Sequence, residues 1–117
     1  MKRGDVVLAR LDPTEGAEQS GTRPMVIVSR GAINRSSPVV IAVPCTSWSE
    51  GRRVYPSQVV IRAPEGGLAN DSIALGEQVR AIARDRLAGR WGSLGRESMR
   101  RLERALLIAL DLPGQYD

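Results

Sequence analysis

Histidine is absent from the 117 residues, and cysteine occurs once. Without histidine there is no imidazole acid or base, no Ser-His-Asp triad and no histidine-built metal site. A lone cysteine excludes an internal disulfide and a multi-cysteine zinc site, and it agrees with a reducing compartment. Long apolar runs are missing too: none approaches the ~20 residues of a membrane span. Asp5, Arg10 and Asp12 interrupt the stretch after Met1-Lys2-Arg3 that would have to act as a secretory leader. A cytoplasmic protein without a membrane segment is expected.

What is present suits a folded unit. With 42% hydrophobic and 26% charged residues the composition is near the globular average. The length predicts one domain over residues 1–117. Seventeen Lys and Arg against 13 Asp and Glu leave a net charge of +4. That surplus fits an anionic partner such as nucleic acid, and it fits an ordinary solvated surface as well.

The first two thirds reads as short strands between turn-rich loops. Strands are expected at Val6–Leu11, Met25–Val28, Val39–Val43, Ser57–Arg62 and Ser72–Val79. The second and third are almost continuously apolar and β-branched, as in strands buried on both faces. Five short strands with no helix between them point to a small antiparallel barrel rather than a parallel α/β sheet. From Gly95 the periodicity changes. Met99, Leu102, Leu106, Ala109 and Leu110 fall at helical spacing, and Leu107 and Ile108 widen the apolar side toward broad burial. Glu97 and Arg101 stand in the favourable i,i+4 order, and Leu112-Pro113-Gly114 ends the helix. The fold class is therefore mainly β with a C-terminal helix.

Three segments could carry chemistry. The connection from Asp12 to Arg23 is long for a hairpin and holds two glycines with Gln19, Ser20 and Thr22 as hydrogen-bonding groups. Arg23 precedes Pro24, which restricts it to an extended conformation at the mouth of a strand. The second segment, Thr46 to Pro56, gathers Trp48 and Tyr55, half of the four aromatics, beside Arg52 and Arg53. Trp48 for base stacking and Arg52 for phosphate suit single-stranded RNA; a core lid or a dimer contact would use the same residues. Cys45 reads as buried and inert, with no base near it in sequence. The third, Glu77-Gln78-Val79-Arg80, alternates so that Glu77 and Val79 share one face and Gln78 and Arg80 the other.

Taken in order, these pieces resemble the MazF/PemK toxins. The match runs from Arg3-Gly4-Asp5-Val6-Val7 and Asp12-Pro13 through Gly16 to Pro24. It continues with Asn34, Ser36-Ser37-Pro38, Thr46, Glu77 to Ile82 and Arg86-Leu87, so it spans nearly the whole chain. The resemblance implies a homodimeric SH3-like barrel of the CcdB/MazF type. It implies a sequence-specific endoribonuclease that works without metal or other cofactor on single-stranded mRNA and is neutralised by a cognate antitoxin. The family's catalytic Arg and Thr fall on Arg23 and Thr46. Its RNA-groove positions fall on Ala17, Glu18, Gln19 and Gly21, and on Glu77 and Gln78. The family often has Ser where Ala17 stands, which removes a hydrogen bond to RNA and would alter target choice. It often has an acid at Ala83, away from the presumed site.

The implied reaction is attack of the ribose 2′-hydroxyl on the neighbouring phosphate, leaving a 2′,3′-cyclic phosphate. RNA supplies the nucleophile, so the protein has to align atoms, stabilise charge and manage two protons. A guanidinium at Arg23 suits charge stabilisation and is a poor base; Thr46 can orient a phosphate oxygen. Glu18 and Glu77 are the carboxylates available as a base. The alternative is a non-nucleolytic toxin of the same fold that binds a protein target such as DNA gyrase, which has no need of the Arg23 and Thr46 pair.

Overall fold

The computed structural model describes residues 1–11, 16 and 21–114. The elements follow as β1 (Asp5–Leu11), β2 (Gly21–Ile27), α1 (Gly31–Ser36), β3 (Val39–Ser47), β4 (Gln58–Ile61), β5 (Ser72–Leu75), β6 (Arg80–Ala83), β7 (Leu87–Ser93) and α2 (Arg96–Ala109). The pairings are antiparallel. Strand order is β4-β5-β3-β2-β1-β7, with β6 also on β3. The expected antiparallel fold with a terminal helix is present, but the barrel does not close. Among the described residues β4 pairs only with β5, and β7 only with β1. The helix packs on the β4 side of that gap, where Leu102 and Ala105 cluster with Val59 and Ile61 of β4 and with Leu94 just beyond β7. The 3-10 turn Glu65–Gly67 packs against β7 at Trp91 and Gly92.

Two apolar clusters hold the sheet. Val6, Val26 and Val43 join the cluster under α2, while Val7, Ala9, Met25 and Ile27 join a second one on the other side. β1 and β2 are thus buried on both faces, as their near-continuous apolar character requires. β3 departs from that expectation. Val40 and Ala42 are fully buried, but Val39 and Ile41 between them are 38% and 37% exposed. This half of β3 alternates like a sheet with one open face.

Other expectations also shift. The strand expected over Ser72–Val79 stops at Leu75, a 3-10 turn takes Gly76–Gln78, and β6 resumes on the same edge of β3. Cys45 pairs with Ala74 and Ala42 with Arg80, so two residues of β3 face five on the other side. The break coincides with Pro44, which has no N–H to give a ladder. Gly76 permits it, because a Cβ there would lie 2.4 Å from the Ser57 carbonyl oxygen. Alternation through Glu77 to Arg80 is therefore replaced by a turn. Both α1 and β7 lack a sequence signal strong enough to predict them. Arg84 caps α1 by donating to the Ile33, Asn34 and Ser37 carbonyls. β7 is tied to β1 by side chains: Ser93 Oγ donates to Asp5 Oδ1 at 2.6 Å, and Arg90 Nε lies 3.3 Å from the same oxygen.

The terminal helix buries a narrower face than its composition predicts. Its buried residues are Ser98, Leu102 and Ala105, whereas Ile108 and Leu110 are 39% and 52% exposed. Arg101 donates to the Val60 carbonyl at 2.7 Å instead of serving Glu97. Gly95 has no side chain to cap the first turn, so Glu65 does it from a distance. Its carboxylate accepts from the Gly95 N–H and from Ser98 Oγ, each at 2.9 Å. The helix stops before Leu112-Pro113-Gly114, where Asp111 at φ 53 lets the Asp111 and Leu112 N–H groups close on the Ile108 and Leu107 carbonyls. No helix among the described residues is long and apolar enough to cross a membrane.

Candidate active site

Sheet register builds the central pair. β2 and β3 set Met25 opposite Pro44 and Ile27 opposite Ala42. Two positions further along that register Arg23 comes opposite Thr46, and Arg23 Nη1 donates to Thr46 Oγ1 at 3.3 Å. Arg23 does not stand at a strand mouth, because β2 already begins at Gly21, paired with Leu11. Its neighbour across the other edge is Ala9, whose methyl leaves room for a guanidinium. Both residues of the pair are half-buried. The result is a planar five-donor cation and a hydroxyl held together on rigid strands, an arrangement suited to an oxyanion with two or more accessible oxygens.

Thr46 also connects to the rest of the site. It pairs with Ile73 of β5, and the turn after β5 carries Glu77 and Gln78. Glu77 is exposed. Its two carboxylate oxygens accept from Ser57 Oγ at 2.9 Å and Gln58 Nε2 at 2.8 Å, which fixes the side chain on the start of β4. Gln78 is half-buried beside it. Gly21 is exposed at φ +76, where glycine is the favoured residue. Ala17, Glu18 and Gln19, expected to line an RNA groove, lie outside the described residues.

The segment after β3 is more ordered than its composition suggests. Trp48 Nε1 donates to the Arg52 carbonyl at 3.2 Å, and Arg52 Nη1 donates to the Ser47 carbonyl at 3.1 Å. One face of the Trp48 ring is covered by Arg62, 4.8 Å from the ring centroid. Arg53 lies at the same distance over Tyr55. Trp48 therefore offers at most its other face to a base, and Arg52 is turned back on its own loop. Arg53 and Tyr55 stand further out. Sequence reasoning missed Ser57, Gln58, Arg62 and Asp71, whose partners Glu77, Glu50 and Ala63 lie 8 to 20 residues away.

Electrostatics separate the groups. Hydrogen bonds from the Ala63 N–H and Arg62 hold the Asp71 carboxyl below its ordinary value, and Asp71 and Glu50 raise Arg62 in return. Burial pushes the Cys45 thiol up to about 12, so it is neutral and unreactive at the back of the sheet. Among the described residues no three Cys, Asp or Glu side chains converge as metal ligands.

Comparison with known proteins gives consistent results. Residues 2–110 match the family model described as PemK-like, MazF-like toxin of type II toxin-antitoxin system. The chain is 38% identical over 112 residues to the endoribonuclease EndoA of Bacillus subtilis, covering 96% of each protein. It superimposes with a TM-score of 0.78 and 26% identity on a mycobacterial endoribonuclease solved with its cognate antitoxin, covering 98% of this chain and 99% of that one. A crystal structure of MazF from Deinococcus radiodurans gives a TM-score of 0.79 at 26% identity, covering 96% and 97%.

Proposed function

The chain belongs to the PemK-like, MazF-like toxins of type II toxin–antitoxin systems, and we propose that it cuts single-stranded RNA with Arg23 and Thr46 at the scissile phosphate. It is an endoribonuclease toxin, a single domain over residues 1–117 acting in the cytoplasm, where its RNA is. The observation that carries the assignment of residues is the 3.3 Å contact between Arg23 Nη1 and Thr46 Oγ1. In the proposed reaction a ribose 2′-hydroxyl attacks its own phosphate. The 2′-hydroxyl gives up its proton to a base, the bond to the 5′-oxygen breaks as that oxygen takes up a proton, and the products are a 2′,3′-cyclic phosphate and a 5′-hydroxyl. Arg23 grips the non-bridging oxygens as negative charge builds on them, and Thr46 orients the guanidinium and donates its hydroxyl hydrogen to the same phosphate.

Gly21 lies where the backbone approaches the RNA, with Ala17, Glu18 and Gln19 before it. Glu77 and Gln78 read base edges on the far side, their turn steadied by Ser57 and Gln58. No metal or cofactor takes part in this scheme. The partners are single-stranded RNA, a cognate antitoxin and a second copy of the chain. The exposed Val54, Ile108, Leu110 and Leu112 supply apolar surface for the homodimer. An antitoxin complex is known for the mycobacterial relative, and an acidic antitoxin segment would complement the net positive charge here.

The test is digestion of a long unstructured RNA in EDTA by wild type and by Arg23→Ala, with fragment ends mapped. Discrete cuts ending in cyclic phosphate, absent with the variant, are expected. Intact RNA with folded wild type would overturn the nuclease reading in favour of a toxin that binds a protein target. RNA bearing a 2′-deoxyribose at the cut site should bind and resist cleavage. Normal cleavage of it would replace the ribose hydroxyl by water as nucleophile.

A further inference from the structure

The ends of β3, β4 and β5 converge on a set of side chains that the scheme above does not use. Arg62, the residue after β4, donates to Asp71 Oδ2 at 3.0 Å and, through both terminal nitrogens, to Glu50 Oε1 at 3.2 Å. The same guanidinium covers one face of Trp48. Asp71 accepts from the Ala63 N–H through its side chain and from the Trp48 N–H through its carbonyl, both at 2.9 Å. Through Trp48 the set reaches Arg52 and then the Ser47 carbonyl, one residue from Thr46.

An isolated exposed ion pair would mean little here. This guanidinium instead meets two carboxylates and an aromatic face at once, which its planar fork can do in few orientations. The segment it holds, residues 48–57 between β3 and β4, has no helix or strand of its own. Backbone bonds close its turns, from the Arg52 N–H to the Ser49 carbonyl and from the Gln58 N–H to the Tyr55 carbonyl, and side chains anchor those turns to the sheet. Two carboxylates engage the exposed Arg62 guanidinium and hold it over Trp48, and Arg53 and Tyr55 are exposed on the segment it supports.

We propose that Arg62 is a positioning residue that determines which bases are accepted beside the scissile phosphate, by fixing the Trp48–Tyr55 segment against the end of β3. This rests on the nuclease reading and deepens it. Arg62 does not touch RNA. It acts through Trp48 and Glu50 on the placement of Arg53 and Tyr55, so its loss changes selection among sites more than the rate of the chemical step.

The experiment uses full-length protein carrying Trp91→Phe, so that Trp48 is the sole tryptophan and can be excited selectively, with Arg62→Ala, Arg62→Lys and Glu50→Gln added. Cut sites are mapped on long RNA, and kcat and KM are measured on oligonucleotides holding the preferred and a poor site. Arg62→Ala is expected to lower kcat/KM at the preferred site by roughly tenfold or more, mainly through KM, with less loss at the poor site. Trp48 emission should shift with it. Arg62→Lys keeps a cation on the ring without the fork and should fall between; Glu50→Gln, which spares the Asp71 contact, should move the same way by less. Unchanged relative rates at all sites in folded Arg62→Ala and Glu50→Gln would overturn the proposal. So would an equal fall in kcat everywhere with KM unchanged, which would place Arg62 at the reaction itself. No cutting by the parent protein would instead refute the nuclease reading on which the proposal stands.

Discussion

Thr46 contributes to the site a hydroxyl and a β-branched shape, and the two are separable. Thr46→Val keeps the shape for β3 and removes the donor. It should leave the melting temperature nearly unchanged and lower kcat by roughly 10²-fold, as expected when one preorganised donor to a developing charge is lost. Single-turnover cleavage measures this directly. Asp5 makes a different prediction because it is almost entirely buried. Burial pushes its carboxyl up, but hydrogen bonds from Ser93, the Lys2 N–H and Arg90 outweigh burial and leave it below its ordinary value. A carboxyl with a depressed folded-state pKa stabilises the fold fully above its unfolded value, and that contribution fades as pH falls through the folded value. Stability should therefore drop as pH falls below about 4. Asp5→Asn should be less stable at neutral pH and show a flatter acid limb in urea melts taken across this range.

At the scale of elements, the helix shows how a local pattern and a distant partner divide the work. Glu65, 30 residues before Gly95 in sequence, accepts from the Gly95 N–H and from Ser98 Oγ at the start of α2. Glu65→Ala should cost about 0.5–2 kcal/mol, the usual range for a lost helix cap, read as a lower denaturation midpoint with an unchanged slope. The existence of α2, its Gly95 start and four of the strand positions were legible in the sequence, because hydrophobic periodicity and Gly or Pro punctuation are local signals. The cap from Glu65 and the stop at Asp111 were not, since both depend on backbone closure that periodicity does not encode. The same holds for β5 and β6, which read as one strand until the break beside Pro44 is seen. At the site, Arg23 and Thr46 were legible as a motif, and the register explains why they meet. Ser57, Gln58, Arg62 and Asp71 escaped notice because each acts through a partner brought near only by the sheet.

At the scale of the whole molecule, the apolar surface left by α2 argues for a second copy. A groove of about 460 Å³ runs between α2 and the segment before β4, with Val54, Val60 and Ile108 among its walls and Arg101 and Arg104 beside them. Ile108→Glu should leave the monomer folded, since that side chain is 39% exposed, and shift the sedimentation coefficient from dimer to monomer. An unchanged sedimentation profile in the variant would remove this face from the dimer. The pairing of β1 with β7 has a further consequence for how the protein comes into being. A ribosome delivers Arg23 and Thr46 early, yet the outer edge of β1 finds no partner until Leu87–Ser93 has emerged, and the Asp5–Ser93 bond joins residues 88 positions apart. Domains of this size fold as cooperative units, so a nascent chain is harmless through most of its translation. The nuclease therefore switches on late, only once Leu87–Ser93 has closed on β1.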